Sequence, residues 1–185
     1  MASTYPTTID AFTNPTTTSL LTSPSHAGQH SDINDAMEAV QTKLAIGNTV
    51  IGTYIAYTPT MSNVTTGNAT SSGAYCRVND FVHVYGVFTF GSTTVVTGNI
   101  FINLPINLNA GLGAYSSVGI ISLYDASSGT NYLSPARYSG ADNLIRVGMD
   151  LTSGTYGTWT TANATLPMTW TTSDIINFNL YYRAV

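Results

Sequence analysis

The sequence predicts a mainly β protein, in which an antiparallel β-sandwich or jelly-roll-like domain follows an extended N-terminal arm and one short α-helix. Residues 81–90 and 175–183 alternate between apolar and polar side chains, which is the pattern of strands with one buried face. Turn signals such as Asn79-Asp80 and Ser127-Ser128-Gly129 separate short candidate strands at intervals of about 8–12 residues. Only one segment has the apolar spacing of a helix, so the pattern favours a sandwich or jelly roll.

Residues 1–31 are predicted to form an extended attachment arm. Two Pro/Thr-rich stretches, 4–8 and 14–18, dominate this segment. Proline fixes φ and pushes the preceding residue toward extended geometry. The few apolar anchors of the arm are Ile9, Phe12, Leu20 and Leu21. Because so few anchors cannot form a core, we expect the arm to lie along another protein surface or along its own domain.

Residues 32–47 carry the helix pattern. Ser31 or Asp32 is the predicted N-cap, Asp32 and Asp35 place negative charge in the first turn, and Gly47 follows the last turn. Apolar residues spaced by four, three and four positions predict a stripe formed by Ile33, Met37, Val40 and Leu44. A helix of about 15 residues is marginal alone in water, so it must dock. The stripe fits packing on the β domain or a short parallel trimeric bundle at a symmetry axis.

Residues 50–185 are predicted to form the β domain. The buried faces of its two clearest strands are expected to be Val82, Val84, Phe88 and Phe90 in the first and Ile176, Phe178, Leu180 and Tyr182 in the second. The other candidate strands are residues 51–57, 69–78, 98–104, 116–124, 131–138 and 143–151.

The composition argues against several classes of partner. Only 8% of the residues are charged, against about 25% in ordinary domains, and one Lys and four Arg face nine acids. With a formal net charge of −4 and no basic patch, we expect no nucleic-acid binding. The apolar runs are far shorter than the roughly 20 residues of a membrane span, and residues 1–25 lack the features of a secretory signal. We therefore expect synthesis in a cytoplasm and no membrane insertion.

The sequence offers little catalytic chemistry. His83 is the one candidate base in the β domain, no nucleophile-elbow motif is present, and Cys76 is the only cysteine. We expect no enzyme and no cofactor. The acids of the β domain all occupy turn-like or strand-end positions, where Asx turns account for them: Asp80, Asp125, Asp142, Asp150 and Asp174.

His26, His30 and Asp32 form the one weak candidate for a metal site. Two histidines four residues apart share a face of a helix and can then bind a transition metal. Here they precede the predicted N-cap and flank Gly28, so the sequence does not establish that geometry. A metal site completed by symmetry copies is one interpretation. The favoured one is that these side chains cap and hydrogen-bond the start of the helix.

Residues 23–44 resemble an attachment module of virion proteins from tailed bacteriophages. The features they share are a small-residue stretch, His26-x-x-x-His30, Asn34-Asp35-Ala36, an amphipathic helix, and then Lys43-Leu44 followed by a glycine. The family usually has that glycine directly after the leucine, whereas two residues intervene here before Gly47. Segments 57–60, 67–70, 75–78, 82–84 and 98–105 resemble the β domains that follow this module in decoration, head-fibre, minor tail and tail-fibre proteins.

The resemblance implies a non-enzymatic virion structural protein, made in the bacterial cytoplasm and exposed on the exterior of the particle. It implies a homotrimer mounted on the major capsid protein or another virion protein, with the β domain projecting. A capsid decoration or head-fibre-type protein is the first hypothesis, because one β domain is short for a tail fibre. The implied attachment and trimer-interface residues are Ile9, Phe12, Leu20, Leu21, His26, His30, Ile33, Met37, Val40 and Leu44.

The alternative is a tail-fibre or receptor-binding protein that recognises a host cell-surface glycan. The chain contains 12 tyrosines, and together with Trp159 and Trp170 these supply aromatic faces on which sugars stack. The competing explanation is that most of these aromatic side chains serve the core and the contacts between subunits.

Overall fold

The computed structural model describes residues 25–44, 52–108, 111–140, 143–153 and 156–184. The chain divides into two compact units, Met1–Thr53 and Tyr54–Val185. The described part of the first unit contains helix α1 (His26–Leu44), and that of the second is built from strands. The predicted arm lies outside the described residues as far as residue 24.

The strands of the second unit are β1 (Ile55–Tyr57), β2 (Met61–Thr65), β3 (Thr70–Val78), β4 (Phe81–Thr89), β5 (Val95–Asn103), β6 (Ser117–Asp125), β7 (Thr130–Tyr138), β8 (Leu144–Arg146), β9 (Gly148–Ser153), β10 (Tyr156–Thr161) and β11 (Ile175–Arg183). The fold is therefore mainly β, as the sequence predicts, and it is sandwich-like.

Nine of these strands form one antiparallel sheet in the order β1-β3-β4-β11-β6-β7-β8-β5-β2. The edge strands β1 and β2 are consecutive in the chain and only residues 58–60 join them. A connection that short spans about 14 Å at most. The sheet must therefore curl until its two edges lie close together, which places two halves of one sheet face to face. Strands β9 and β10 pair separately as a hairpin.

The core lies inside the curled sheet. Strand β11 pairs with β4 on one side and with β6 on the other, so these three strands form the centre of one wall. The predicted buried faces are confirmed, because the following side chains are all at most 4% exposed: Val82, Val84, Phe88, Phe90, Ile176, Phe178, Leu180 and Tyr182. Other strands contribute further fully buried residues, among them Ile100, Ile102, Ile121, Leu123 and Ile145.

The structure corrects the prediction of a single strand over residues 143–151. Strand β8 pairs with β5 and β7 in the large sheet, whereas β9 leaves it and pairs with β10. Gly148, at the start of β9, allows the Trp159 ring to pack on the backbone there, since a Cβ would lie 2.2 Å from that ring. Strand β2 was not predicted, because the alternation breaks at a bulge where Asn63 has a φ of 61°. Strand β10 was also missed.

Tyr57 and Tyr182 form a matched pair of buried phenols that predicts a loss of stability at alkaline pH. Burial raises the pKa of both phenols well above the ordinary value near 10. The unfolded chain then releases these protons more readily than the folded one, so their contribution is present below about pH 10 and is lost above it. The free energy of unfolding, measured in urea, should therefore be lower at pH 10.5 than at pH 7.

Phenylalanine variants separate the two phenols. The hydroxyl of Tyr182 donates to the carbonyl of Ile106 at 2.9 Å, whereas that of Tyr57 is buried without a partner among the described residues. Tyr182→Phe should therefore cost about 1 kcal/mol at pH 7 and Tyr57→Phe almost nothing, while each reduces the alkaline loss. An equal cost of the two substitutions at pH 7 would contradict this assignment.

Candidate functional site

Helix α1 begins at His26, six residues before the predicted start at residue 32. Ser25 is the N-cap, since its hydroxyl accepts the N–H of Gly28 at 3.2 Å and its carbonyl accepts that of Gln29 at 3.0 Å. The predicted cap at Ser31 or Asp32 was therefore wrong. Asp32 and Asp35 lie in the second and third turns, and the first turn contains no acid. The prediction that these two carboxylates lie in the first turn was therefore wrong.

The earlier start places His26 and His30 inside the helix on one face. Their Nε2 atoms are 3.2 Å apart, so one ring donates a hydrogen bond to the other, and the rings meet edge to face. Asp32 is two residues beyond His30 and projects from another side of the helix. The structure thus brings the two histidines together without Asp32, and the described residues contain no group of three side chains able to hold a metal.

Because α1 begins at His26, the line of its apolar stripe extends toward the N-terminus by two histidines. Positions spaced by four, three, four, three and four residues now form one line, the helix seam, which comprises His26, His30, Ile33, Met37, Val40 and Leu44. Ile33 and Met37 are each 54% exposed, and Val40 is half-buried. The side chain of Leu44 lies outside the described set, as do the predicted arm anchors Ile9, Phe12, Leu20 and Leu21.

The second unit carries a cluster of ring side chains on the outer face of its sheet. This outer aromatic patch consists of Tyr54, Phe81, His83, Tyr85 and Tyr181. Its phenylalanine and tyrosines are between 44% and 48% exposed. Since β4 and β11 are neighbours, His83 pairs with Tyr181 and their rings stack at 4.5 Å between centroids. Tyr54 precedes β1 and meets both His83 and Tyr85 edge to face.

His83 holds the outer aromatic patch together by two hydrogen bonds. Its Nε2 donates to the Asn179 side-chain oxygen at 2.8 Å, and its Nδ1 is hydrogen-bonded to the Tyr54 hydroxyl at 2.5 Å. Desolvation by neighbouring groups, followed by contact with the Cys76 thiol, raises the pKa of Tyr54. Cys76, next to His83 on β3, is half-buried.

An open groove of about 410 Å³ adjoins the outer aromatic patch. It is lined by Ser72, Tyr85, Val87 and Asn177 and by Gly73, Gly86 and Phe178. On the inner side, a Cβ at Gly86 would lie 2.5 Å from the Phe178 ring, so the glycine allows close packing there. The groove presents an amide, a phenol and apolar surface to a ligand.

Three of the four described acids of the β domain serve structural roles. Asp80 is paired with Arg183, whose Nε donates to it at 2.7 Å, and this contact lowers the pKa of the carboxyl. Asp125 caps its own turn and accepts from Ser127 and Ser128, which lowers the pKa of that carboxyl too. Asp174 is buried and accepts two backbone N–H groups. Asp150 is exposed, and Asp142 lies outside the described residues.

The predicted buried face of residues 81–90 leaves His83 and Tyr85 on the outward face by alternation, but the rest of the patch was not predicted. The signal was present for Tyr181, which alternates with the buried Leu180 and Tyr182, but the pairing of β11 with β4 was not visible. The two tryptophans do not join the patch. Trp170 stacks on Phe90 at 4.6 Å, and Trp159 donates to Ser134.

These features define a charge-poor antiparallel β protein with an aromatic outer face and a helix that carries a seam. Comparisons with family models, with curated proteins and with solved structures find no match. Within the residues that the structure describes, no helix is long and apolar enough to cross a membrane.

Proposed function

We propose that this chain is a non-enzymatic structural protein of a tailed-bacteriophage virion, of the capsid decoration or head-fibre type. In this proposal the chain forms a homotrimer through the helix seam. Its arm binds the major capsid protein or another virion protein, and its β domain projects from the exterior of the particle.

The observation that carries the proposal is the helix seam. Its six positions follow the 4-3 spacing of a bundle-forming helix, and its central residues Ile33 and Met37 are more than half exposed in the single chain. A 19-residue helix with an exposed apolar stripe gains stability when copies bury that stripe against one another. The module that residues 23–44 resemble occupies the corresponding place in virion proteins.

The surface of the β domain supports the same proposal. The chain has only five basic residues among 185, so its contacts must come mainly from apolar and aromatic burial. The outer aromatic patch offers such surface to a second copy or to a fixed lattice of capsid subunits. Lys and Arg are also the residues after which trypsin-like proteases cut, and a surface poor in them resists such cleavage outside the cell.

The proposal is tested by the molar mass of the chain in solution and by its location on the virion. The full chain should have three times the mass of 19.6 kDa when measured by light scattering or native mass spectrometry. Antibodies raised against the chain should label intact particles on the head when viewed by electron microscopy. A monomeric chain would contradict the trimer, and labelling confined to the tail tip would favour the second function below.

A second function, binding of a host cell-surface glycan, is favoured by the outer aromatic patch. Exposed tyrosine rings beside an open groove that also presents Asn177 are the combination that sugars use, with ring faces for stacking and an amide for hydrogen bonds. Under this hypothesis the protein is a tail-fibre or receptor-binding protein, and its ligand lies across Tyr85 and Tyr181.

Tyrosine variants separate the two functions. If the chain binds glycan, Tyr85→Ala and Tyr181→Ala should each weaken binding to host cells by about 2- to 10-fold, because a stacking surface is removed. Val95→Ala is the control, since Val95 is 53% exposed but lies on β5. Binding of fluorescent protein to whole cells measures the effect. No binding by the unmodified chain would exclude this function.

A further inference from the structure

Arg137 and Arg146 lie side by side on the outer face of the sheet. They are cross-strand partners on β7 and β8, and the neighbouring residues Ala136 and Ile145 point into the core. Cross-strand partners have their Cβ atoms about 4.5–5.5 Å apart, and like charges so placed repel each other. The chain has only five basic residues, so two of them adjacent to one another call for an explanation.

Aromatic rings cover both guanidinium groups. The Cζ of Arg137 lies 5.0 Å from the centre of the Trp159 ring, and that of Arg146 lies 4.9 Å from Tyr115 and 5.4 Å from Phe101. Tyr115 and Trp159 meet edge to face, so the five side chains form one arginine–aromatic cluster. The rings remove part of the water from the two charges, which strengthens the attraction of these charges for an anion.

The walls of the arginine–aromatic cluster are fixed in place. Trp159 donates its indole N–H to Ser134 at 3.1 Å, and its ring packs on Gly148. The backbone N–H of Tyr115 donates to the carbonyl of Tyr138 at 2.8 Å. Little side-chain entropy is therefore lost when a ligand binds, as in a preorganised site.

The guanidinium groups have hydrogen-bond donors to spare. Each offers five N–H donors, and within the described part of the chain neither buried Nε atom has a partner. Arg146 makes one long contact there, of 3.4 Å, to the carbonyl of Ser139. No carboxylate of the described residues forms an ion pair with either one. Arg183 provides the contrast, since Asp80 neutralises it. Among the described residues, the cluster thus holds two positive charges and no anion.

We propose that Arg137 and Arg146, together with Tyr115 and Trp159, form a binding site for an oxyanion, either a carboxylate or a phosphate group. The planar fork of arginine matches the two oxygens of such a group and binds it bidentately. Tyr115 is 53% exposed, so part of its surface is available to the sugar or other group that carries the oxyanion. This site does not depend on the proposed virion function.

The test is a titration of the full chain at constant ionic strength with inorganic phosphate, with glucuronate and with glucose. Binding of phosphate or glucuronate with a Kd of about 1 mM or below, and no binding of glucose, is the expected result. Tighter binding of phosphate identifies a phosphate group as the natural ligand chemistry, and tighter binding of glucuronate identifies a carboxylate on a sugar. Absence of binding by both anions overturns the proposal.

Nuclear magnetic resonance reads out the same titration without any variant. The chain has two tryptophans, and only Trp159 lies in the arginine–aromatic cluster. Its indole N–H signal should shift with the anion while that of Trp170, which donates to Asn163, stays in place. Shifts of equal size at both indoles, or at Trp170 alone, would overturn the assignment.

Lysine variants test whether the planar guanidinium groups of the two arginines are needed for binding. The double variant Arg137→Lys and Arg146→Lys keeps both charges but loses bidentate geometry, so binding should weaken at least tenfold. Arg183→Lys is the control and should bind as the unmodified chain does. If the double variant does not fold, the single variant Arg137→Lys and the indole shifts carry the test. Unchanged binding in the folded lysine variants would contradict the proposal.

Discussion

Replacing Ile33 and Met37 with aspartate is expected to convert the proposed homotrimer into monomers. Both residues lie at the centre of the helix seam and are exposed in the single chain, and in the proposed trimer each is buried between copies. A carboxylate in that position loses its hydration without gaining a partner, and it faces the same charge from two other chains. The penalty of several kcal/mol applies to every chain of the assembly, which is enough to abolish association at micromolar concentration.

The measurement is the molar mass of the purified chain by light scattering. The matched control is Ser31→Asp with Asn34→Asp, which adds two carboxylates to exposed positions of α1 outside the seam. The control should remain a trimer. If the unmodified chain is a trimer and the seam variant is too, the seam is not the interface, and the outer aromatic patch becomes the surface to test next.

The β domain is expected to lose about 3–5 kcal/mol of stability when Asp174 is replaced with alanine, a large part of the 5–15 kcal/mol typical of a domain. Asp174 is 0% exposed, and its carboxylate accepts the N–H of Ala126 at 2.9 Å and that of Thr171 at 2.6 Å. It thereby ties the turn after β6 to the start of β11. Alanine removes the acceptor of both N–H groups and leaves the half-buried one of Ala126 without it.

Denaturant unfolding measures this loss, with two comparison variants. Asp174→Asn keeps one acceptor oxygen and should cost about half as much as alanine. Asp125→Ala removes an exposed turn-capping carboxylate and should cost about 1 kcal/mol or less. If Asp174→Ala costs no more than Asp125→Ala, the buried carboxylate does not hold the two segments together.

The start of α1 shows where sequence reasoning stops being reliable. The predicted N-cap at Ser31 or Asp32 left Ala27 and Gly28 in the arm, and glycine weakens a helix by about 1 kcal/mol. The N-cap at Ser25 and the turns that follow offset that cost, so the helix includes both residues. The error concealed the most informative feature of the helix, since only the longer helix places His26 and His30 on the seam.

The arginine–aromatic cluster was missed for a different reason. Arg137 and Arg146 are nine positions apart in the chain, and Trp159 and Tyr115 are farther away still. No local pattern brings four such residues together. Their meeting depends on the pairing of β7 with β8 and on the exit of β9 from the large sheet at Gly148.

The sequence by itself determined the class of fold and the buried faces of β4 and β11. Side-chain direction in a strand alternates with a period of two, so the sequence of one strand is enough to predict which of its side chains are buried. The tertiary structure alone decided which strands are neighbours, how the sheet curls to bring β1 and β2 together, and which outward side chains meet. These features depend on contacts between residues that are distant in sequence and on the free energy of the whole domain. A local sequence pattern therefore does not predict them.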